Sequence, residues 1–465
     1  MKQLKHFIAR YPDSILVFSL LLIGLSLYGQ LIHGYFATDE WWAMSFAIYS
    51  HSLRAALTPA GVYTPLANLL IFGLYQLFKV NALPWALLTI LLHLVNVCLV
   101  YWLLTKLSKQ RLIGFMTAGL FTLVPMGSQF LSQFSMMPTA GFGYTLGLAS
   151  LLFYVYRRPF WSVLLLGLSL GFTAYAVSLV PVFVLVELVL LNRRDWRINW
   201  WRPLPNLGLF SLYLAVQRYI LSHGAVTYDR PIAGQSVIGR LIEIGLKIYE
   251  LFGELILNQT GRIDTGLTLK LSSVFLLAVF LGLIGLALRR QWDLFRLGLF
   301  GLLFSASTIA LFSSLNTVTL DAAYPGRYLY LVPIGIGTTL SALLIGLTAH
   351  RSISRLPLII SVSLFIGAAF YYWPKTNQTI MTEITLGQVR QKIMQIITSD
   401  VTKPLPNEAL FCFTSNTSHY GQPPDRLPLP FVHNFAFNIA VVYRPTDPEF
   451  RNFFGEAGIF LNPAA

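Results

Sequence analysis

Long apolar runs separated by short polar segments dominate the hydrophobic pattern of the chain. Runs of about twenty uncharged residues are long enough to cross roughly 30 Å of hydrocarbon as helices. The pattern predicts eleven such helices, over 15–33, 84–104, 111–131, 139–156, 160–177, 178–192, 203–221, 271–288, 294–314, 328–349 and 355–373. We therefore expect an all-α polytopic membrane protein, with two shorter apolar stretches at 65–80 and 238–257 left to place.

Basic residues decide on which side of the membrane each loop lies. Cytoplasmic loops of membrane proteins are rich in Lys and Arg. If neither 65–80 nor 238–257 crosses, the clusters fall on one side: Lys2, Lys5 and Arg10; Lys106, Lys109 and Arg111; Arg157 and Arg158; Arg193, Arg194, Arg197 and Arg202; Arg289, Arg290 and Arg296; Arg351 and Arg355. We therefore predict a cytoplasmic N-terminus, a retained first helix, and two helices lying on the outer surface.

Composition supports a membrane protein and argues against several other classes. Of 465 residues, 55% are hydrophobic and only 11% are charged, whereas a soluble domain carries roughly a quarter charged residues. A net charge of +14 is also typical of proteins that bind nucleic acid, but basic residues in cytoplasmic loops explain it more simply. With only Cys98 and Cys412, neither a disulfide framework nor a metal cluster is expected. No cofactor is predicted, and a divalent metal requirement is left open.

The C-terminal part differs in character from the rest. We expect a membrane domain over 1–373 and a small extracytoplasmic α/β segment or cap over 374–465. That segment contains an amphipathic helix in TIMTEITLGQVRQKIMQIITSD and short strands in ALFCFT and IAVVYR. The cytoplasmic loops are short and contain neither a P-loop nor a dinucleotide fingerprint.

An adjacent pair of carboxylates follows the first apolar run, in HGYFATDEWW. Asp39 and Glu40 are flanked by aromatic residues, which also suit plain anchoring at the membrane interface. A carboxylate among aromatic rings can act as a general base. The alternative is a solvated loop that ends the helix. His33 lies near the pair, as an interfacial residue or a substrate contact.

A second outer loop, NTVTLDAAYPGRYLYL, contains an arginine just before a predicted span. Arg327 is either an interfacial anchor or a ligand for a lipid phosphate, because its guanidinium fork matches phosphate oxygens. Neighbouring tyrosines can hydrogen-bond the same group, and they are Tyr324, Tyr328 and Tyr330. Arg230, in TYDRPIAG, is a candidate substrate contact or part of a solvated turn.

Three polar residues lie inside predicted spans. His93 and Asn96, in LLTILLHLVNVCLVYWLL, are expected to hydrogen-bond to a neighbouring helix. Glu187, in FVLVELVLL, lies near the cytoplasmic end. We expect it to pair with Arg193 and Arg194 at the membrane boundary.

The order of these motifs resembles the GT-C superfamily of integral membrane glycosyltransferases, and most closely its protein O-mannosyltransferase-like branch of bacterial type. The resemblance rests on the outer Asp-Glu pair, on YTPLANLLIFGLYQLF at the start of a surface helix, on NALPWALLTILLHLVNVCLVYWLL, and on Arg327-Tyr328-Leu329-Tyr330-Leu331. It covers residues 10–190 well and 315–350 by motif. It adds Tyr63 and Asn68, from the YTPLAN stretch, as possible substrate contacts.

The resemblance implies a sugar donor linked to polyprenyl phosphate and a protein, lipid or glycan acceptor. It implies transfer on the outer face of a bacterial inner membrane, with no nucleic-acid partner. In that reaction Asp39 takes the proton of the acceptor hydroxyl, and Glu40 orients Asp39 or contacts the acceptor. Arg327 offsets the charge on the departing phosphate. The alternatives are a transporter or flippase of lipid-linked sugars, and a non-catalytic member of the same fold.

Overall fold

A computed structural model describes residues 12–36, 40, 41, 43, 44, 64–190, 200–222, 265–313, 329–348, 356–400, 419, 420, 427 and 428, and isolated positions between 239 and 249. In these ranges the chain is almost entirely helical. The helices are α1 Pro12–Tyr28, α2 Pro65–Phe78, α3 Ala82–Ser108, α4 Arg111–Leu123, α5 Ser128–Ser132, α6 Phe142–Val155, α7 Pro159–Phe172, α8 Val180–Leu190, α9 Leu204–Ser222, α10 Thr265–Leu288, α11 Trp292–Ser313, α12 Val332–Thr348 and α13 Leu356–Asp400.

Short irregular helices join some of these elements. A 3₁₀ turn at Gly29–His33 extends α1, a π turn at Met137–Gly141 precedes α6, and a 3₁₀ turn at Ala174–Leu179 precedes α8. Two-residue strands, β1 His419–Tyr420 and β2 Leu427–Pro428, pair antiparallel. The strands predicted in ALFCFT and IAVVYR, and the surface helix predicted over 238–257, lie outside the described residues apart from isolated positions in the latter.

Three helical stretches in the described part of the chain are long and apolar enough to cross a membrane: Pro12–His33, Ala82–Ser108 and Trp292–Ala310. Six shorter apolar helices of 10–17 residues accompany them, at Pro65–Phe78, Arg111–Leu123, Pro159–Phe172, Ala174–Glu187, Ser272–Leu288 and Val332–Gly346. The described part of the chain is therefore that of a mainly helical membrane protein, and the predicted number of eleven crossings stays a prediction.

The single helix predicted over 111–131 was wrong. Helix α4 ends at Leu123 and α5 begins only at Ser128. Pro125 causes the break, because the residue before a proline is disfavoured in the helical region. The hydroxyls of Tyr28 and Thr376 bond the carbonyls of Thr122 and Leu123 at 2.9 and 2.6 Å, and so satisfy acceptors that a helix end leaves open.

The last span predicted over 355–373 and the amphipathic helix predicted over 379–400 are continuous in the structure. Both belong to α13, which runs for 45 residues through Pro374. The proposed boundary between residues 373 and 374 therefore lies inside one helix. Asn377 accepts a hydrogen bond from Gln30 at the end of α1, so the middle of α13 is fixed to the first span.

Close backbone contacts hold the second half of the bundle together. Helices α11 and α12 pack along most of their length. A Cβ atom at Gly301 or Gly335 would lie only 2.4 or 2.3 Å from the carbonyl oxygen of the other residue. Small residues permit this approach, which supplies the van der Waals contact that drives helix association in lipid.

Ion pairs fasten the helix ends that we predict to be cytoplasmic. Asp13 accepts hydrogen bonds from Tyr101 at 2.6 Å and from Arg111 at 2.8 Å. The buried Glu187 accepts from Tyr154 at 2.6 Å and pairs with Arg202 at 2.8 Å. The prediction that Glu187 pairs with a nearby cation was correct in kind, although the partner that the structure shows is Arg202.

Candidate functional site

The segment after the 3₁₀ turn, which we predict to lie outside and call the first outer segment, packs into the bundle at its described residues 34–36, 40, 41, 43 and 44. The Phe36 ring lies 5.8 Å from Trp41, 5.9 Å from Trp85 in the first turn of α3, and 6.3 Å from Phe134. Phe36 and Trp41 are fully buried. Edge-on aromatic contacts of this kind are stabilising beyond the area that they bury. The described residues of this segment are therefore anchored in the bundle rather than solvated.

Glu40, the second carboxylate of the predicted pair, is next to this aromatic cluster in the chain. Glu40 is only 1% exposed and immediately precedes the buried Trp41. A buried carboxylate is costly unless it is paired or hydrogen-bonded, and such groups cluster at functional sites. Asp39, which we predict as the general base, lies outside the described residues, between the two placed positions Phe36 and Glu40.

Tyr330 fixes the second part of the predicted site. Its hydroxyl lies 2.9 Å from Nδ1 of His93 and accepts a hydrogen bond from Nδ2 of Asn96 at 3.1 Å. Its ring stacks on Phe130 at 4.7 Å. Its backbone packs against Gly127, where a Cβ would come within 2.7 Å and where φ is +87°. Tyr330 is thus locked inside the bundle, and the prediction that His93 and Asn96 bond across to another element is confirmed.

Residues 128–136 connect the two parts. This segment, which follows the break in α4, includes Phe130, stacked on Tyr330, and Phe134, in contact with Phe36. Phe130 and Phe134 are four residues apart, and both are buried. Through this short stretch of chain, Phe130 and Phe134 link the first outer segment to the start of α12, and we call this link the aromatic path.

Helix α13 closes one side of the first outer segment. A Cβ at Gly387 would lie 2.8 Å from the backbone nitrogen of Tyr35. The backbones of α13 and of the segment are therefore in close contact at this point. Burial raises the pKa of the Tyr35 phenol to about 12, and the hydroxyl therefore remains a hydrogen-bond donor at neutral pH. Burial also raises the pKa of the Glu383 carboxyl, which the nearby charge of Arg390 opposes.

Sequence reasoning did not identify Glu383, Gly387 and Arg390 as part of this region. A signal was present, because these positions share one helical face with the buried residues Ile380, Ile384 and Met394. A glutamate and an arginine on an otherwise apolar face are the feature that could have identified it.

The remaining predicted site residues divide into two groups. His33 is exposed at the end of the 3₁₀ turn after α1, and Asn68 is half-buried in the first turn of α2. The others fall outside the described residues, and they are Tyr63, Arg230, Tyr324, Arg327 and Tyr328. Within the described ranges, no three His, Cys, Asp or Glu side chains gather as metal ligands.

Comparison with known proteins gives a distant structural likeness. No protein-family model and no curated protein matches the chain. Among solved structures, it is similar to the Archaeoglobus fulgidus oligosaccharyltransferase in complex with Zn and sulfate, at 12% identity and a TM-score of 0.43, over 92% of this chain and 61% of that one. The chain is also similar to the oligosaccharyltransferase AglB of the same organism, in complex with an inhibitory peptide and a dolichol-phosphate. Here the identity is 12% and the TM-score is 0.43, over 94% of this chain and 64% of that one.

The chain thus spans less than two thirds of the length of these neighbours. At this level of similarity the comparison says nothing about donor, acceptor or active-site residues.

Proposed function

We propose that the protein is a membrane glycosyltransferase that moves a sugar from a polyprenyl-phosphate-linked donor to an acceptor hydroxyl at the outer membrane face. The acceptor oxygen attacks the anomeric carbon and its proton passes to Asp39. The bond between the anomeric carbon and the phosphate oxygen breaks, and its electron pair leaves with the lipid phosphate. Arg327 offsets the charge that develops there, and Glu40 orients Asp39 or contacts the acceptor.

One observation carries this proposal: the aromatic path that joins the first outer segment to the start of α12. Asp39 is three residues from Phe36, and Arg327 is three residues from Tyr330. Three residues of chain span at most about 10 Å. Since Phe134 contacts Phe36 and Phe130 contacts Tyr330, the path favours placing the acid and the cation at the same end of the bundle.

The burial of Glu40 supports the same assignment. A loop that served only to end a helix would leave its carboxylates in water, yet Glu40 is 1% exposed. Placing a charged group in such a site requires compensation and is typical of active sites. Sidedness comes from the distribution of basic residues, which puts this end of the bundle outside.

The test is transfer from a synthetic polyprenyl-phosphate sugar by the purified full-length protein, with Asp39→Asn as the variant. We expect the turnover to fall by at least a hundredfold, since general-base catalysis contributes about 10²–10⁴-fold. Asp293→Asn is the matched control, because Asp293 is an exposed carboxylate in the first turn of α11, at the end of the bundle that we predict to be cytoplasmic.

Three results would contradict the proposal. Equal turnover in the wild type and the Asp39→Asn variant would remove the assigned base. Movement of lipid-linked sugar across vesicles without transfer would identify a transporter. Unchanged surface glycans in cells carrying only the Asp39→Asn variant would identify a non-catalytic protein.

A further inference from the structure

The turn between α6 and α7 contains two arginines that the proposed mechanism does not use. The backbone nitrogen of Arg157 donates to the carbonyl of Tyr154 at 3.0 Å, and that of Arg158 donates to the carbonyl of Phe153 at 2.9 Å. This pair of bonds ends a helix on a residue in the left-handed conformation, a position that glycine usually occupies. Here the residue is Arg157, with a φ of +59°, and a side chain is strained there.

Two other turns that we predict to be cytoplasmic also place a basic residue at positive φ. Lys109 follows α3 with a φ of +59°, and Arg290 follows α10 with a φ of +58°. The turn after α10 repeats the hydrogen-bond pattern, since Arg290 donates to Ala287 and Gln291 donates to Leu286. Glycine would form these turns with less strain, so turn geometry does not explain the basic residues.

The end of α3 contributes a further cation to the surface around the α6–α7 turn. Nζ of Lys106 lies 4.8 Å from the centre of the Tyr156 ring, and Tyr156 directly precedes Arg157 in the chain. The side chains of Lys106, Arg157 and Arg158 are exposed. We call these three cations, together with Tyr156, the basic turn cluster.

The helices around the basic turn cluster contain no acidic residue. The sequence has no Asp or Glu between Glu40 and Glu187, a stretch that includes all of α2 to α7. Glu187 pairs with Arg202, and Asp13 pairs with Arg111, so these two carboxylates already have other partners. The cluster is therefore a surface of uniformly positive charge, which attracts anions.

An apolar stripe on α7 continues from the cluster along the outside of the bundle. Trp161, Leu164 and Leu168 follow one another at the spacing of a single helical face, and all three are exposed. The Trp161 ring also contacts Phe153 of α6, with 6.3 Å between the ring centres. A tryptophan between basic residues and exposed leucines is typical of a membrane interface. This surface therefore offers positive charge to a headgroup and apolar area to the acyl chains beside it.

We propose that the basic turn cluster binds the phosphate group of an anionic phospholipid in the cytoplasmic leaflet. The surface of that leaflet is negatively charged, and the guanidinium groups of Arg157 and Arg158 match phosphate oxygens. The apolar stripe that continues from the cluster favours a lipid over a soluble protein or a nucleic acid. Lys106 is about 30 Å along α3 from Trp85 by helix geometry, so this site is separate from the proposed active site and does not depend on the proposed function.

The experiment measures the binding of phosphatidylglycerol to the full-length protein in neutral detergent, with zwitterionic phosphatidylcholine as the reference lipid. The rise in melting temperature during a lipid titration gives an apparent Kd. We expect Arg157→Gly to weaken phosphatidylglycerol binding about fivefold, and the double variant Arg157→Gly/Arg158→Gln to weaken it about 25-fold, by the usual contribution of a basic residue near an anionic surface. Phosphatidylcholine binding is expected to stay the same.

Two controls separate lipid binding from folding and from net charge. Without lipid, Arg157→Gly is expected to melt no lower than the wild type, because glycine accepts positive φ without strain. Lys79→Gly removes one positive charge and one residue at positive φ from the turn before α3, at the opposite end of α3 from Lys106. We expect it to leave phosphatidylglycerol binding unchanged. If the double variant does not fold, Arg157→Gly alone decides the question.

Three results would overturn the proposal. Wild-type affinity for phosphatidylglycerol in the Arg157→Gly and double variants would leave the cluster to a protein partner or to membrane insertion alone. An equal loss in Lys79→Gly would show a general effect of net charge. An equal loss of phosphatidylcholine binding would show that the arginines do not recognise an anionic headgroup.

Discussion

Replacing Tyr330 by Phe tests whether the buried cluster fixes the start of α12. The change removes one hydroxyl that lies 2.9 Å from His93 and 3.1 Å from Asn96, and it leaves both ring contacts and volume nearly intact. Hydrogen bonds between helices in lipid contribute on average about 0.6 kcal/mol and at most about 1.7 kcal/mol each. Tyr330 is 2% exposed, so water is poorly placed to replace them, and we expect a loss of about 1–3 kcal/mol.

The assay is reversible unfolding of the purified protein in mixed micelles, followed by tryptophan fluorescence. Tyr156→Phe is the control, because Tyr156 is exposed at the end of α6, and its effect is expected to stay within about 0.5 kcal/mol. A double-mutant cycle with Asn96→Leu should show a coupling of about 0.5 kcal/mol or more.

Two results would refute this reasoning. The first is a Tyr330→Phe variant as stable as Tyr156→Phe, which would mean that the hydroxyl contributes nothing. The second is strict additivity with Asn96→Leu, which would mean that the bond across the bundle is not made. Because Arg327 is three residues before Tyr330, a destabilised cluster is also expected to weaken donor binding.

Two further predictions concern helix packing and charge burial. Gly387→Ala is expected to lower thermal stability and transfer activity, because its Cβ would lie 2.8 Å from backbone. The control is Gly367→Ala, which has open space around it and should stabilise the protein by up to about 1 kcal/mol through helix propensity. Equal effects of the two substitutions would exclude a close contact at Gly387. Arg202→Met should destabilise the protein by about 3–5 kcal/mol by leaving the buried Glu187 unpaired, and adding Glu187→Leu should recover most of that loss in the same unfolding assay. A double variant no more stable than Arg202→Met would show that the pair does not compensate a buried charge.

The positions of the helices were largely predictable because they depend on local properties. A run of apolar residues must form a helix in hydrocarbon, since no water is present to satisfy its backbone. The predicted span over 84–104 lies inside α3, Ala82–Ser108. The errors occurred where helix breakers acted differently from expectation: Pro125 ended α4, whereas Pro374 is accommodated within α13.

Candidate chemistry was predictable by residue type but less so by partner. Sequence alone showed that His93, Asn96 and Glu187 needed hydrogen-bond or ion-pair partners, because polar groups in a span are costly. It could not name Tyr330, 237 residues from His93, or Arg202. Those partners depend on the rotation of each helix about its axis and on which helices pack together.

The sequence by itself determined that this is a helical membrane protein with an acidic pair beside the first span, because length and hydropathy act locally. Only the tertiary structure decided that Glu40 is buried, that residues 128–136 join Phe36 to Tyr330, and that Gly387 of α13 packs against the backbone of Tyr35. These contacts join residues distant in the chain, and their geometry arises from packing that no single segment specifies.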